Sequence, residues 1–225
     1  MNVCGIELTQ QATEIYEDIK SKIDFNYICQ IGPTNSVKRA SEHSFIIELS
    51  PVPDETEEMF SFKFIHEITH IYQFMNGYKR IVRCLVPDMR IKELLIHLSD
   101  FVLDTDAHYW LKEQYHYDIH DIFKDNNKYC GYVKLVDSMQ DKTFNDVGVK
   151  FLALECAYIY FNESVQLADD LVNKAQLVAP NILNYYKAII DEYRNGVICF
   201  PEFATEKIIR IGHILEVDQQ FLLGN

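Results

Sequence analysis

The spacing of apolar and polar positions divides the chain into a mixed first part and a helical remainder. Ile15, Ile19 and Ile23 fall on one row of a 3.6-residue period, which predicts an amphipathic helix over 6–23. Phe25 to Ile31 and Ser44 to Leu49 are short runs rich in β-branched and aromatic residues and predict two strands. A polar turn over 32–42 separates them. Two strands make no stable sheet unaided, so either a third is hidden or helices cover the pair. The apolar segment Phe60 to Phe74 predicts a helix over 55–76, with Asp54 as N-cap, Glu57 completing a capping box and Asn76-Gly77 as the stop. Residues 91–115 predict a second long helix seated by Leu94, Leu98, Phe101, Val102 and Trp110.

Beyond about Asp118 the pattern is mostly helical. Asn145 or Asp146 caps one helix through Tyr160, and Asn162 or Glu163 starts the next, to about Gln176. Pro180 opens a third, reaching Tyr193, and Pro201 begins the last. The expected class is therefore α+β and predominantly helical. Residues 1–118 form the predicted core, and 119–225 form a helical region packed on it.

Inside the helix over 55–76 lies His66-Glu67-Ile68-Thr69-His70, an H-E-x-x-H motif. Residues four apart on a helix share one face, so both imidazoles can reach one metal ion. Glu67, one residue on from His66, can reach a water bound to that ion. Two neutral nitrogen ligands and a carboxylate base are what zinc-dependent peptide hydrolysis needs. The surrounding residues are large and apolar, and two histidines and a glutamate in such a helix call for a reason.

A catalytic zinc takes three protein ligands and leaves one position for water. The helix over 91–115 carries a polar row, Glu93, His97, Asp100, Asp104 and His108, at intervals of four, three, four and four. Asp104 is the favoured third ligand. His108 either orients it or replaces it, and Asp100 comes next, while Asp106 points off this face. Glu155 and Glu163 are reserve ligands. His116 and His120 repeat the four-residue spacing without the glutamate and read as surface. His43 and His213 read as ordinary residues. Tyr109 or His108 is a candidate donor to an oxyanion.

Composition narrows the partners. A formal net charge of −13, with no basic stripe longer than Lys79-Arg80 and Arg83, argues against nucleic acid. Six cysteines without C-x-x-C spacing read as reduced thiols of a cytoplasmic protein. The amino terminus lacks a basic region followed by an apolar run, so no secretory signal is expected. The most apolar stretch, Phe151 to Phe161, contains Glu155 and is too short for a bilayer, so no membrane is expected either.

The order of helix, short sheet, H-E-x-x-H helix and following helix resembles the zincin metallopeptidases. It looks most like the small intracellular SprT-like and ImmA/IrrE-like groups of bacteria and phages. The resemblance covers about Phe25 to Tyr117, and His66-Glu67-x-x-His70 is its specific part. It implies a minimal zincin-like core with Zn(2+) on His66 and His70, Glu67 as catalytic base and a peptide or protein substrate. It also makes Ser44 to Leu49 similar in position to the edge strand that holds an extended peptide. The chain departs from the family in three ways: no E-x-x-x-D follows the motif helix, and a third metzincin histidine and G-T-x-D are absent. The alternative is a catalytically silent zincin-like module that binds metal and acts in peptide or protein interaction. A purely structural metal would instead show four closed ligands.

Overall fold

The computed structural model describes residues 1–53, 55–122, 128–139, 142–194 and 200–224, without the side chains of His120, Asp121 and Lys128. In order, the elements are β1 (Asn2–Val3), β2 (Ile6–Glu7), α1 (Gln10–Lys22), β3 (Asn26–Ile31), β4 (Ser36–Ser41) and β5 (Ser44–Leu49). They continue with α2 (Glu57–Met75), β6 (Arg80–Cys84), α3 (Met89–Tyr115), α4 (Ile119–Ile122) and α5 (Lys128–Ser138). The last are α6 (Asp146–Asn162), α7 (Val165–Ala175), α8 (Ile182–Arg194), α9 (Pro201–Ile214) and β7 (Phe221–Gly224). The fold is α+β and predominantly helical. Two compact units divide it: Met1–Gly77 with Trp110–Phe123, and Tyr78–Tyr109 with Lys124–Asn225.

In the first unit, β5 alternates buried Phe45, Ile47 and Leu49 with half-buried residues, the pattern of a strand with one face in a core. β3 pairs with it in parallel and β4 antiparallel, giving the order β3-β5-β4. β4 is the hidden third strand. It lies within the predicted polar turn because Val37 is its only buried residue, and the rest of the strand reads as loop. The link from β3 crosses the end of β5 at Gly32, whose N–H donates to the Leu49 carbonyl at 2.9 Å. A Cβ at Gly32 would lie 2.0 Å from the Glu48 side chain, so any larger residue there would have to displace that side chain.

This order corrects one expectation. Ser44–Leu49 is the central strand, with both hydrogen-bonding sides taken, and the free edges belong to β3 and β4. The first helix also starts later than predicted. Cys4 and Gly5 turn the chain between β1 and β2, and the Thr9 hydroxyl caps α1 by accepting from the Ala12 N–H.

The core of this unit joins Ala12, Ile15 and Ile19 of α1 to Phe45 and Ile47 of β5 and Phe64, Ile65, Ile68 and Ile71 of α2. Phe64 meets both Tyr16 and Tyr27, with ring centroids 5.8 and 5.9 Å apart. The Thr9 N–H donates to Ser61 Oγ at 3.0 Å, tying the start of α1 to α2.

In the second unit, α6 is buried nearly all round, from Val149 to Ile159, as a helix with no clear polar face must be. The stretch from Phe151 to Phe161 is thus a core helix, and no helix among the described residues is long and apolar enough to cross a membrane. Leu94, Leu98 and Phe101 of α3, Leu171 of α7, Ile189 and Tyr193 of α8 and Ile208 of α9 complete this core. The Tyr193 hydroxyl donates to Asp106 at 3.1 Å, which accounts for a buried aspartate that sequence spacing turned away from the polar row. β6 and β7 pair antiparallel; both are short and half-exposed, and neither has a sequence signal as strong as β5.

Candidate metal centre

α2 is a helix for local reasons as well as through its packing. The Thr56 hydroxyl accepts from the Met59 N–H at 3.1 Å, and Glu57 and Glu58 lie in the first turn, where the helix dipole favours negative charge. Thr56 is therefore the N-cap, two residues later than predicted, and Asp54 lies outside the described residues. Asn76 is the C-cap, and Gly77 follows in the left-handed region at φ 86°, as the predicted stop requires. The motif sits well inside these ends.

Along one face of α2, Phe62, His66, His70 and Phe74 follow each other at four-residue intervals. Phe62 stacks on His66 and Phe74 on His70, with centroids 6.3 and 6.4 Å apart, so the two rings are held between aromatic walls. The imidazoles meet edge to face at 4.5 Å, and their Nε2 atoms approach to 3.0 Å. Two nitrogen ligands of one tetrahedral zinc would lie about 3.3 Å apart, so the observed gap needs to open by only a few tenths of an ångström.

The proton on His70 has a fixed place. Gln73, buried one turn further on, presents Oε1 at 2.8 Å from His70 Nδ1, and an amide oxygen can only accept. His70 therefore carries its proton on Nδ1 and turns a lone pair on Nε2 toward His66. This matches the way ligating histidines are oriented through their second nitrogen. Gln73 was not singled out by sequence reasoning, although its position three residues after His70 was a usable signal.

Asp104 completes the set. One atom each from His66, His70 and Asp104 lies within 4.8 Å of the others, and the three side chains are all half-buried. Among the described residues this is the only group of three His, Cys, Asp or Glu side chains with that geometry, and it can hold a metal ion. No family model, curated protein or solved structure matches the chain. The donor set must therefore be judged on its own chemistry. Two imidazole nitrogens and one carboxylate oxygen suit a borderline cation such as zinc better than a hard cation such as calcium.

Glu67 is buried in α2 at 4% exposure and is not a member of the three-residue group. Asp100 is exposed, and His108 is buried with Nδ1 2.7 Å from Asn162 Oδ1. Asn162 Nδ2 donates to Thr105 Oγ1 at 2.9 Å and to the Tyr158 carbonyl at 3.1 Å, which fixes Oδ1 as the acceptor facing His108. Glu155 accepts from His97 at 2.7 Å, and Glu163 ends α6 and accepts from the Tyr129 N–H at 3.4 Å. The polar row of α3 is thus met largely by polar residues of α6, a pairing that neither helix shows alone. Burial, then the charges of Asp104, Glu155, Glu163 and Asp100, holds the Tyr158 phenol well above its usual range. Tyr109 is exposed. His116 is exposed and ends α3 in the left-handed region at φ 53°, and the side chain of His120 lies outside the described residues. His43 contacts the Asp24 carbonyl at 3.1 Å, and His213 lies 3.5 Å from Asp218.

Proposed function

We propose that this protein is a zinc metallopeptidase, with the ion held by His66, His70 and Asp104. The observation that carries this reading is the convergence of the two Nε2 atoms, 3.0 Å apart, with the Asp104 carboxylate in the same group. Bound there, zinc supplies a water acidified toward neutral pH and a Lewis acid for a carbonyl oxygen. Gln73 keeps the His70 proton on Nδ1, and Phe62 and Phe74 limit the rotation of the two rings. Glu67 is the general base: it takes a proton from the attacking water and returns it to the leaving amine. The substrate is a peptide or protein, with no nucleic acid or membrane involved. The five described cysteines are free thiols, which fits a reducing compartment, the cytoplasm.

The test uses the whole chain loaded with zinc, a broad peptide library and mass-spectrometric detection of cleavage. Wild type cleaves, while Glu67→Gln retains zinc and loses at least about a hundredfold in rate, the usual scale of a missing general base. Equal cleavage by the variant would remove Glu67 from its role. Zinc bound with no cleavage of any peptide would favour the silent binding module instead.

A further inference from the structure

The β1–β2 ribbon places an uncommon residue at its turn. Cys4 and Gly5 occupy the two central positions with φ of 51° and 87°, the turn that ordinarily takes Asn-Gly or Asp-Gly. Asn2 Oδ1 accepts from the Gly5 N–H at 3.0 Å and holds the turn closed. The exposed Cys4 side chain reaches strand β3, where its Sγ lies 3.4 Å from Sγ of Cys29. A disulfide bond is about 2.05 Å long, so the two sulfurs need approach by only about 1.4 Å. The other described cysteines differ: Cys84 contacts the Val86 carbonyl at 3.2 Å, Cys156 is buried, and Cys130 is exposed on α5.

We propose that Cys4 and Cys29 form a reversible disulfide that latches the β1–β2 ribbon onto β3. The oxidant is a small disulfide of the glutathione class. The Cys4 thiolate attacks one of its sulfurs, expels one glutathione thiolate and keeps the other as a mixed disulfide. The Cys29 thiolate then attacks the Cys4 sulfur and expels the second glutathione. Two protein S–H bonds are lost, one S–S bond forms, and one oxidised glutathione becomes two reduced molecules carrying the two protons. Cys4 goes first because it is exposed. Cys29 resolves because it is already in contact, although burial and the neighbouring Cys4 push its thiol up to about 12. The closed loop contains α1, which Thr9 and Tyr16 tie to α2. The latch therefore braces the helix that carries the histidine pair. It does not depend on what the metal centre does.

The experiment equilibrates the whole chain in glutathione buffers of rising oxidised fraction, quenches with acid, then alkylates free thiols in denaturant and maps peptides by mass spectrometry. At oxidising ratios the Cys4 and Cys29 peptides are joined, two hydrogens lighter, while Cys156 stays alkylatable, and excess reduced glutathione reverses the bond. The thermal midpoint of the oxidised chain rises by about 5 °C or more, the scale expected for closing a loop of this length in a chain of this size. Cys29→Ser abolishes the rise and leaves glutathione on Cys4; the exposed Cys4→Ser, which disturbs no core, must also abolish it. Stable glutathione on Cys4 of the wild type with Cys29 still alkylatable, or joined peptides forming only in denaturant, overturns the proposal.

Discussion

Two pairs of histidines occupy the long helices α2 and α3, and their surroundings differ in kind. In α3, His97 and His108 each turn Nδ1 to an acceptor on α6, Glu155 and Asn162, both at 2.7 Å. In α2, His66 and His70 turn their Nε2 atoms on each other at 3.0 Å, and the Gln73 oxygen sets the His70 proton on the far nitrogen. Two imidazole lone pairs aimed at one point repel unless a proton or a cation lies between them. The α3 pair meets acceptors on α6, whereas the α2 pair belongs, with Asp104, to a group that can hold a metal ion. The same residue type in two long helices meets different partners according to what its surroundings present.

Removing a ligand is the strongest way to break this contrast. His70→Ala is expected to abolish stoichiometric zinc binding, measured by elemental analysis after gel filtration, while circular dichroism still reports a helical chain. His97→Ala in the same assay leaves zinc content unchanged. Gln73→Leu acts one step back. It should weaken zinc about 10–100-fold in competition with a calibrated chelator, the range typical of partners that orient a ligating histidine. Unchanged affinity in that variant would mean that the His70 tautomer is set by something other than Gln73.

Asn162→Ala sharpens the other side. It removes the acceptor facing His108 Nδ1 and the donor to Thr105 Oγ1, and is expected to cost about 1–3 kcal/mol in chemical denaturation, with zinc affinity unaltered. A fall in zinc affinity there would move His108 from packing into the metal centre. The smallest effect belongs to the cap: Thr56→Ala should lower stability by about 1 kcal/mol without altering metal binding.

Much of this was legible in the chain. The motif helix, its Asn76-Gly77 stop and the Asn145 cap of α6 depend on contacts within a few residues, so their sequence signals are complete. β5 announced itself through Phe45, Ile47 and Leu49. β4 did not, because a strand with one buried residue has no alternation to read. β6 and β7 pair across more than a hundred residues of sequence, and their partners were invisible for that reason.

What the sequence determined by itself is the histidine pair with its glutamate, since a four-residue spacing in a capped helix leaves the two rings no choice but one face. Only the tertiary structure decided which member of the α3 row joins them. Asp104 is the member that lies in one group with His66 and His70, while His97 and His108 turn Nδ1 to acceptors on α6. It also decided that β5 lies inside its sheet, and that Cys4 meets Cys29. Each of those outcomes depends on which surfaces meet after the helices and strands have formed, and local periodicity carries no record of it.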